Sequence, residues 1–541
     1  MTWSAAEGAV GASSQSFVVV GFLGFIVIAL FLSVMGGPDG DSAADFHVGS
    51  RTLSPVKNGA ALSGTYLATT VLLNVTGVVA ISGFDGITMA VDLVLSLGVL
   101  ILFARPLRQS GGHTLGDLFA LRSSGTAPRI AAAVATLGVC VPFLAIQLNG
   151  AGAVTAQLMG LSTLGAKQVC TVLLGVLVVL CAALGGMRGL TLVQILSGGV
   201  TLAALAVSGL ALLVHFHGDL DTLVSDAARG SGQQHYLQPG NLLGHTAEGR
   251  VDLLGLHLVL VLGTACMPHI LLRVHAARDG AAARRSVRHT AIVVAVVCLA
   301  LVLLGLGAAA VVGSEAIKNG DADGDAALLL ITRSLLGGET TVLGDLLFTA
   351  VACAAFLTAL SVIGGTTLAA ASSVARDIYV HVVRRSPSAA STELAVARTA
   401  SLVFGGLGVL IAVALQGSPT GFGSQLATSV AASAILPALV YSLYWPGYNR
   451  SGLLWTVFGG VVLAVLLPLF SPAMSGSPNS LLPDADFAWL PVRNPGLISI
   501  PAAFLLGWLG SRWGSSRTTP DDEKRRRQAD ALHLTGTQQP G

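Results

Sequence analysis

Residues Asn58–Gly86 read NGAALSGTYLATTVLLNVTGVVAISGFDG. The stretch is long enough to cross a bilayer, which takes about 20 residues of helix. It is nevertheless a poor membrane helix, because Gly59, Ser63, Gly64, Thr65, Thr69, Thr70, Asn74, Thr76 and Gly77 keep interrupting its apolar run. The hydrocarbon core offers no water, so hydroxyls at that depth are tolerated only beside other protein or along a water-filled cavity. Two readings fit. Either the small residues form a tight seam against neighbouring helices, or the helix unwinds and presents backbone carbonyls to a ligand.

The rest of the 541-residue chain supports a membrane setting. It is 53% hydrophobic and only 10% charged, with a mean hydropathy of +0.77. A soluble protein carries about 25% charged residues. The composition therefore describes an all-α polytopic membrane protein. Cys140, Cys170, Cys181, Cys266, Cys298 and Cys353 all fall in apolar segments without a CxxC pair, which reads as small packing residues. The first residues lack the basic start of a signal peptide, so the first apolar run is expected to be retained.

Apolar runs of spanning length recur at 15–37, 57–82, 87–105, 128–158, 166–184, 189–216, 251–274, 289–313, 340–375, 394–416, 421–445, 452–470 and 495–512. About thirteen transmembrane helices are expected. With the N-terminus outside, 23 of the 29 Lys and Arg residues fall in segments on the inside. The positive-inside rule selects that orientation and an odd number of spans. The chain divides into an extra helix and loop at 1–56, five spans over 57–216, an outer loop at 217–250, five more spans over 251–445, two helices over 446–513, and a basic tail at 514–541 expected to be disordered in the cytoplasm.

Five spans in each half would make the halves enter the membrane from opposite sides, as an inverted repeat requires. Each half opens with an interrupted helix. In the second, VDLLGLHLVLVLGTACMPHILLRV at 251–274, a break is expected around Gly263-Thr264-Ala265 and Pro268. Among the outer loops, Asn319, Asp321, Asp323, Gly324 and Asp325 imitate the opening of a calcium loop. The twelfth position is Leu330 where the bidentate Glu belongs, so Asp325 is expected to cap a helix instead. Asn74-Val75-Thr76 matches a glycosylation sequon by pattern only.

At this point the chain resembles a known family. GTACMPHILLRV, followed by AARDGAAARRSVRHT, is similar to the sodium:solute symporters, in particular their acetate/monocarboxylate permease branch. Gly49-Ser50-Arg51-Thr52-Leu53, Asn58-Gly59, Gly83-Phe84-Asp85-Gly86, His113-Thr114-Leu115-Gly116-Asp117, Gly185-Gly186-Met187-Arg188 with Gln194, and Leu368–Ser372 running to Asp377-Ile378-Tyr379 match in kind and order across about residues 45–470. The resemblance implies a LeuT-like inverted-repeat core with discontinuous first and sixth helices, one added helix before it and two after. It implies a sodium site from carbonyls of Gly64, Leu67 and Thr358 and the hydroxyl of Ser361, an all-oxygen set suited to a hard cation. It implies a solute site beside the two breaks, lined by Thr69, Thr70 and Val71, by Gly263, Thr264 and Met267, and by Gln147 or Asn149. With no Lys or Arg expected at that depth, helix-terminal amides and hydroxyls would hold a small anion.

The chain departs from the family pattern in two places. Val362 stands where many relatives carry a second hydroxyl, and Thr65 where permease relatives carry an Asp. Asp92, an acid inside a spanning helix, is then a candidate proton-coupling group or a partner of a neighbouring helix. His269 is a second candidate, or else a ring that bonds a nearby carbonyl, as is His257. The expected protein is a multi-pass cell-membrane symporter for acetate, propionate or pyruvate with Na⁺ or H⁺. Its expected partners are the solute, a coupling cation and lipid, with no cofactor and no nucleic acid. Symport of proline, pantothenate or a sugar, or a symporter-derived sensor, are the alternatives. No Walker A sequence is present, and an enzyme is not expected.

Overall fold

In the computed structural model the opening stretch forms two helices, Pro55–Tyr66 and Thr69–Ser82, bent by 59° at the intervening residues. The structure describes residues 12–36, 43–51, 53–161, 163–320, 324–335, 341–384, 390–416, 421–476, 480–482 and 484–514. Thr52, Asp321, Asp323 and the tail from residue 515 lie outside them.

In chain order the helices are α1 (Ala12–Met35), α2 (Ala43–Val48), α3 (Pro55–Tyr66), α4 (Thr69–Ser82), α5 (Phe84–Gln109), α6 (Leu115–Phe119), α7 (Ala127–Leu158), α8 (Leu164–His215), α9 (Leu220–Ser231) and α10 (Ala247–Ala265). They continue with α11 (Pro268–His275), α12 (Gly280–Val311), α13 (Ser314–Gly320), α14 (Ala327–Ser334), α15 (Val342–Ser372), α16 (Ala390–Ala414), α17 (Gly421–Val430), α18 (Leu436–Tyr444), α19 (Arg450–Leu469) and α20 (Gly496–Trp513). π-helical turns extend α15 over Ser373–Arg384 and join α17 to α18 over Ala431–Ile435.

Every one of the thirteen expected runs falls on a helix. Among the described residues nine helices are long and apolar enough to cross a membrane, and the bent pair α3–α4 makes ten. One of the nine, α8, holds two of the expected runs. It kinks at Gly186, whose φ of 52° and ψ of −155° break the helix. A Cβ at Gly186 would lie 2.8 Å from Phe46 Cδ2, so α2 occupies the space a side chain would need. Lipid-facing stripes are legible on α5 (Val91, Leu95, Leu102) and α12 (Ile292, Val296, Leu299), where large apolar side chains are exposed at helical spacing.

The seam reading of the opening stretch also holds. A Cβ at Gly64 would sit 2.0 Å from the Gln194 carbonyl oxygen, and one at Gly77 would sit 2.5 Å from that of Gly324. α3 and α4 are thus both broken and tightly packed. Hydroxyl and carboxylate caps set the starts of the helices around them. Ser54 accepts from Lys57 N, Thr246 from Gly249 N and Asp279 from Ala282 N.

Two local expectations are corrected. The cap of α14 is Ala326, without a side-chain bond, and Asp325 lies one residue too early to serve. The second broken helix is interrupted at Cys266–Met267, not at Gly263 and Thr264, which are the last helical turn of α10. Pro268 opens α11 at its first position, where the missing N–H costs nothing. A Cβ at Gly263 would lie 2.2 Å from the Thr428 carbonyl oxygen, so this glycine serves close packing on α17.

The charge distribution predicts the sidedness, and exposed positions test it. A cysteine at exposed Ala281 should resist a membrane-impermeant thiol reagent in intact cells, while one at exposed Gln234 should react. The six native cysteines are buried and contribute little background. The opposite labelling pattern would invert the topology.

Candidate transport site

The first break leaves Leu67 and Ala68 outside either helix, with φ and ψ of −78° and 80°, and −69° and 153°. Hydroxyls on both sides fasten it. Tyr66 donates its phenol to the Leu93 carbonyl of α5 at 2.8 Å and also meets Ser96 Oγ. Thr69 donates to the Ala355 carbonyl of α15 at 2.6 Å, and its Oγ1 lies 3.1 Å from Thr358 Oγ1. Gln147 Nε2 of α7 donates to Thr70 Oγ1 at 2.8 Å. Val71 N bonds the Ala68 carbonyl and starts the first turn of α4.

The structure therefore brings Thr69, Thr70, Gln147 and Thr358 together at the break. It separates Asn149, which donates to the Leu415 carbonyl at 3.0 Å and accepts from Gln416 Nε2 at the end of α16. Gln147 and Asn149 are two residues apart on one helix and face different ways. Met267 stands at the second break, whereas Gly263 faces Thr428 and Thr264 is helical.

The residues of the implied cation site lie on α3 (Gly64), at the first break (Leu67) and on α15 (Thr358 and Ser361). Thr358 Oγ1 is engaged by the Ala355 carbonyl at 2.7 Å. Ser361 Oγ is buried with no hydrogen-bond partner, as are Gln147 Oε1 and Gln194 Oε1. Unpartnered oxygens away from water are costly. Among the described residues no group of three His, Cys, Asp or Glu side chains could hold a metal ion. The neutral oxygens suit an alkali cation rather than a transition metal.

Asp92 does not reach the interface alone. Its Oδ2 meets Nδ1 of His257 across the α5–α10 contact. Asp92 directly precedes Leu93, whose carbonyl holds Tyr66, so the pair sits beside the anchor of the first break. His269 instead stacks on Phe143, with ring centroids 5.5 Å apart, and its Nδ1 has no partner.

Sequence reading missed a charged network at the end of the bundle opposite the Asp92 pair. Arg129 Nη1 of α7 lies 2.6 Å from Asp117 Oδ1 and 3.1 Å from Asp377 Oδ1. Arg376 Nε lies 2.9 Å from Asp117 Oδ2. His47 Nε2 meets Glu393 of α16 at 3.1 Å, and its Nδ1 meets Ser372 Oγ at 2.8 Å. Thr114 and Ser373 donate to Asp377 at 2.7 and 2.9 Å. A Cβ at Gly116 would strike Asp377, so the His113–Asp117 motif needs its glycine. Burial pushes the Asp117 carboxyl up, but the nearby His113 ring and the Arg376 and Arg129 guanidiniums outweigh it and hold the group well below the usual carboxylate range. A small cavity lies against this network, lined in part by His113, Thr114, Pro268, His275 and Ser372.

The chain belongs to the sodium:solute symporter family, whose model matches residues 46–460. It is 31% identical over 512 residues to a Corynebacterium glutamicum protein described as a monocarboxylic acid transporter, covering 92% of each chain. It is 33% identical over 503 residues to a Bacillus subtilis protein described as an uncharacterized symporter, covering 93% of this chain and 95% of that one. Among solved structures, a Na⁺-coupled sialic acid symporter superposes with a TM-score of 0.70 at 14% identity, covering 92% of this chain and 97% of that one. A nucleobase-cation-symport-1 transporter gives 0.53 at 13%, covering 91% and 98%. The fold is the LeuT-like one that the sequence resemblance implied.

Two predictions follow from this geometry. Thr70→Val and Gln147→Leu each remove one partner of the same bond. Each should weaken apparent solute affinity, and the double variant should be no worse than the poorer single one. Fully additive losses at equal expression would mean that the two side chains act independently. For the network, the folded pKa of Asp117 lies below its unfolded one, so its stabilisation is complete above about pH 4 and fades only as pH falls further. Asp117→Asn should cost about 3–5 kcal/mol at pH 7, read as a lower thermal midpoint of the purified protein. A wild-type advantage that shrank between pH 7 and 5 would contradict the assignment.

Proposed function

We propose that this symporter carries a small monocarboxylate, such as acetate, propionate or pyruvate, into the cell together with a cation, across the cell membrane and with its N-terminus outside. The observation that carries the reading is end-to-end similarity, at 31% identity, to a protein described as a monocarboxylic acid transporter. The break supports it chemically. Thr70 and Gln147 offer neutral hydrogen-bonding groups in an apolar setting, and the start of α4 has no side-chain cap, leaving the Thr69 and Thr70 amides for an anion.

For the coupling ion, Na⁺ held by the Gly64, Leu67 and Thr358 carbonyls and Ser361 Oγ is the first reading, supported by the unpartnered, buried Ser361 hydroxyl. The Asp92–His257 pair supports H⁺ as a second reading, because a carboxylate bonded to an imidazole can take up a proton without leaving a bare charge in the membrane.

Uptake of radiolabelled acetate into proteoliposomes under imposed gradients tests both. Acetate should accumulate, with pyruvate competing and proline, pantothenate and glucose not competing. Under sodium coupling, Ser361→Ala raises the Na⁺ concentration needed for half-maximal uptake and Asp92→Asn has little effect. Under proton coupling, Asp92→Asn abolishes accumulation driven by a pH gradient while exchange at equal concentrations survives. Uptake of none of the carboxylates under either gradient would sink the reading.

A further inference from the structure

Arg273 lies on α11, six residues past Met267 and so about 9 Å along the helix from the second break. It is among the largest fully buried side chains in the molecule. Its Nη1 donates to Thr191 Oγ1 of α8 at 2.7 Å. Its Nη2 is buried with no partner, and among the described residues no carboxylate pairs with it. Every carboxylate of the nearby charged network is already engaged, by Arg129, Arg376 or His47. A buried, uncompensated guanidinium is among the most costly groups a membrane protein can hold. Its place in the last turn of α11 offsets part of that cost, because the helix dipole favours a cation there. That does not supply an acceptor for Nη2.

The surroundings point to what does. Arg273 stands at one end of a file of unpartnered polar groups between α3, α8, α11 and α15. Thr191, its acceptor, is one turn from Gln194 on α8. Gln194 Nε2 reaches the Ser361 carbonyl at 3.4 Å while its Oε1 has no partner. Ser197 and Thr201 continue the same stripe with unpartnered hydroxyls. Gly365 faces the file and packs closely against it. A Cβ there would lie 3.4 Å from Gln194 Nε2, 3.5 Å from Thr65 Cγ2 and 3.9 Å from His269 Cβ. The file thus runs from Ser361 to Arg273, away from the outer Asp92 pair, and its terminus is a free cationic donor. A free guanidinium N–H beside a hydroxyl matches a carboxylate in charge and geometry.

We propose that Arg273 is an anion-binding station on the exit side of the transport path, where the solute carboxylate pairs with Nη2 after leaving the break at Thr69 and Thr70 and before release to the cytoplasm. The proposal rests on the monocarboxylate reading of the site. It also revises the expectation that no cation lines the route. Amides and hydroxyls serve the upper station, and a guanidinium serves the lower one.

Sided transport tests it. Full-length protein is reconstituted in one orientation, and acetate half-saturation is measured separately for entry and for efflux. Arg273→Gln should raise the efflux half-saturation by about tenfold or more and leave the external value within about twofold. Arg273→Lys, which keeps the charge, should recover part of the loss. Acetamide, the uncharged isostere, should inhibit efflux by wild type and Arg273→Gln equally, whereas acetate should discriminate between them. Unchanged sidedness in a folded Arg273→Gln variant would overturn the proposal. So would equal losses on both faces with a lowered thermal midpoint, which would make Arg273 a structural charge. Wild-type vesicles that move no carboxylate would instead defeat the monocarboxylate reading itself, a result independent of either variant.

Discussion

Two peptide units outside a helix, at Leu67 and Ala68, set the terms for the whole core. Backbone groups released from helical bonding inside a membrane must find partners in protein, because hydrocarbon offers none. Tyr66, Thr69 and Thr70 flank the break and reach α5, α15 and α7 respectively. Three helices from different parts of the chain are thereby registered on one interruption. Close approach completes the arrangement. Gly64 lets α3 lie directly on the α8 backbone, and Gly263 does the same for α10 on α17. Small residues and hydroxyls, which make the stretch look poor as a membrane helix, are what allow it to be both broken and rigidly held.

Much of this was legible in the sequence, for identifiable reasons. Spanning runs announce themselves because apolar length is a strong signal, and the first break showed as a density of hydroxyls. Thr69 and Thr70 stand beside it as the first residues of α4. A threonine at a helix start and one in a loop look the same in a sequence. The second break was misplaced for a related reason. Gly263 suggests flexibility, but in the fold a Cβ there would come within 2.2 Å of the Thr428 carbonyl oxygen, and the chain breaks three residues later. Gln147 and Asn149 could not be separated without knowing which face of α7 meets α4.

Long-range pairings were the part that sequence could not carry. Asp92 and His257 lie 165 residues apart, and each alone reads as an isolated oddity in an apolar helix. The Asp117–Arg129–Asp377–Arg376 network draws on α6, α7 and the π-helical extension of α15, and its members sit in motifs that suggested family likeness without saying what the charges do. Arg273 was counted among the basic residues that orient the chain. Nothing local distinguishes an arginine that reaches water from one that turns inward to Thr191.

The distribution of satisfied and unsatisfied groups then has a mechanical meaning. At the two ends of the bundle, polar side chains are paired with each other: Asp92 with His257 on one side, and Asp117, Asp377 and Glu393 with their cations on the other. Such pairs hold helices together yet can part when water enters, because solvation replaces what the partner supplied. From the first break towards Arg273, Gln147 Oε1, Ser361 Oγ, Gln194 Oε1 and Arg273 Nη2 are buried without partners. These groups gain most when something polar arrives and lose it again when that species moves on. A ligand shifts a conformational equilibrium only through bonds that it makes in one state and not in the other, and the unmade bonds at Gln147, Gln194 and Ser361 are places where such a difference would arise.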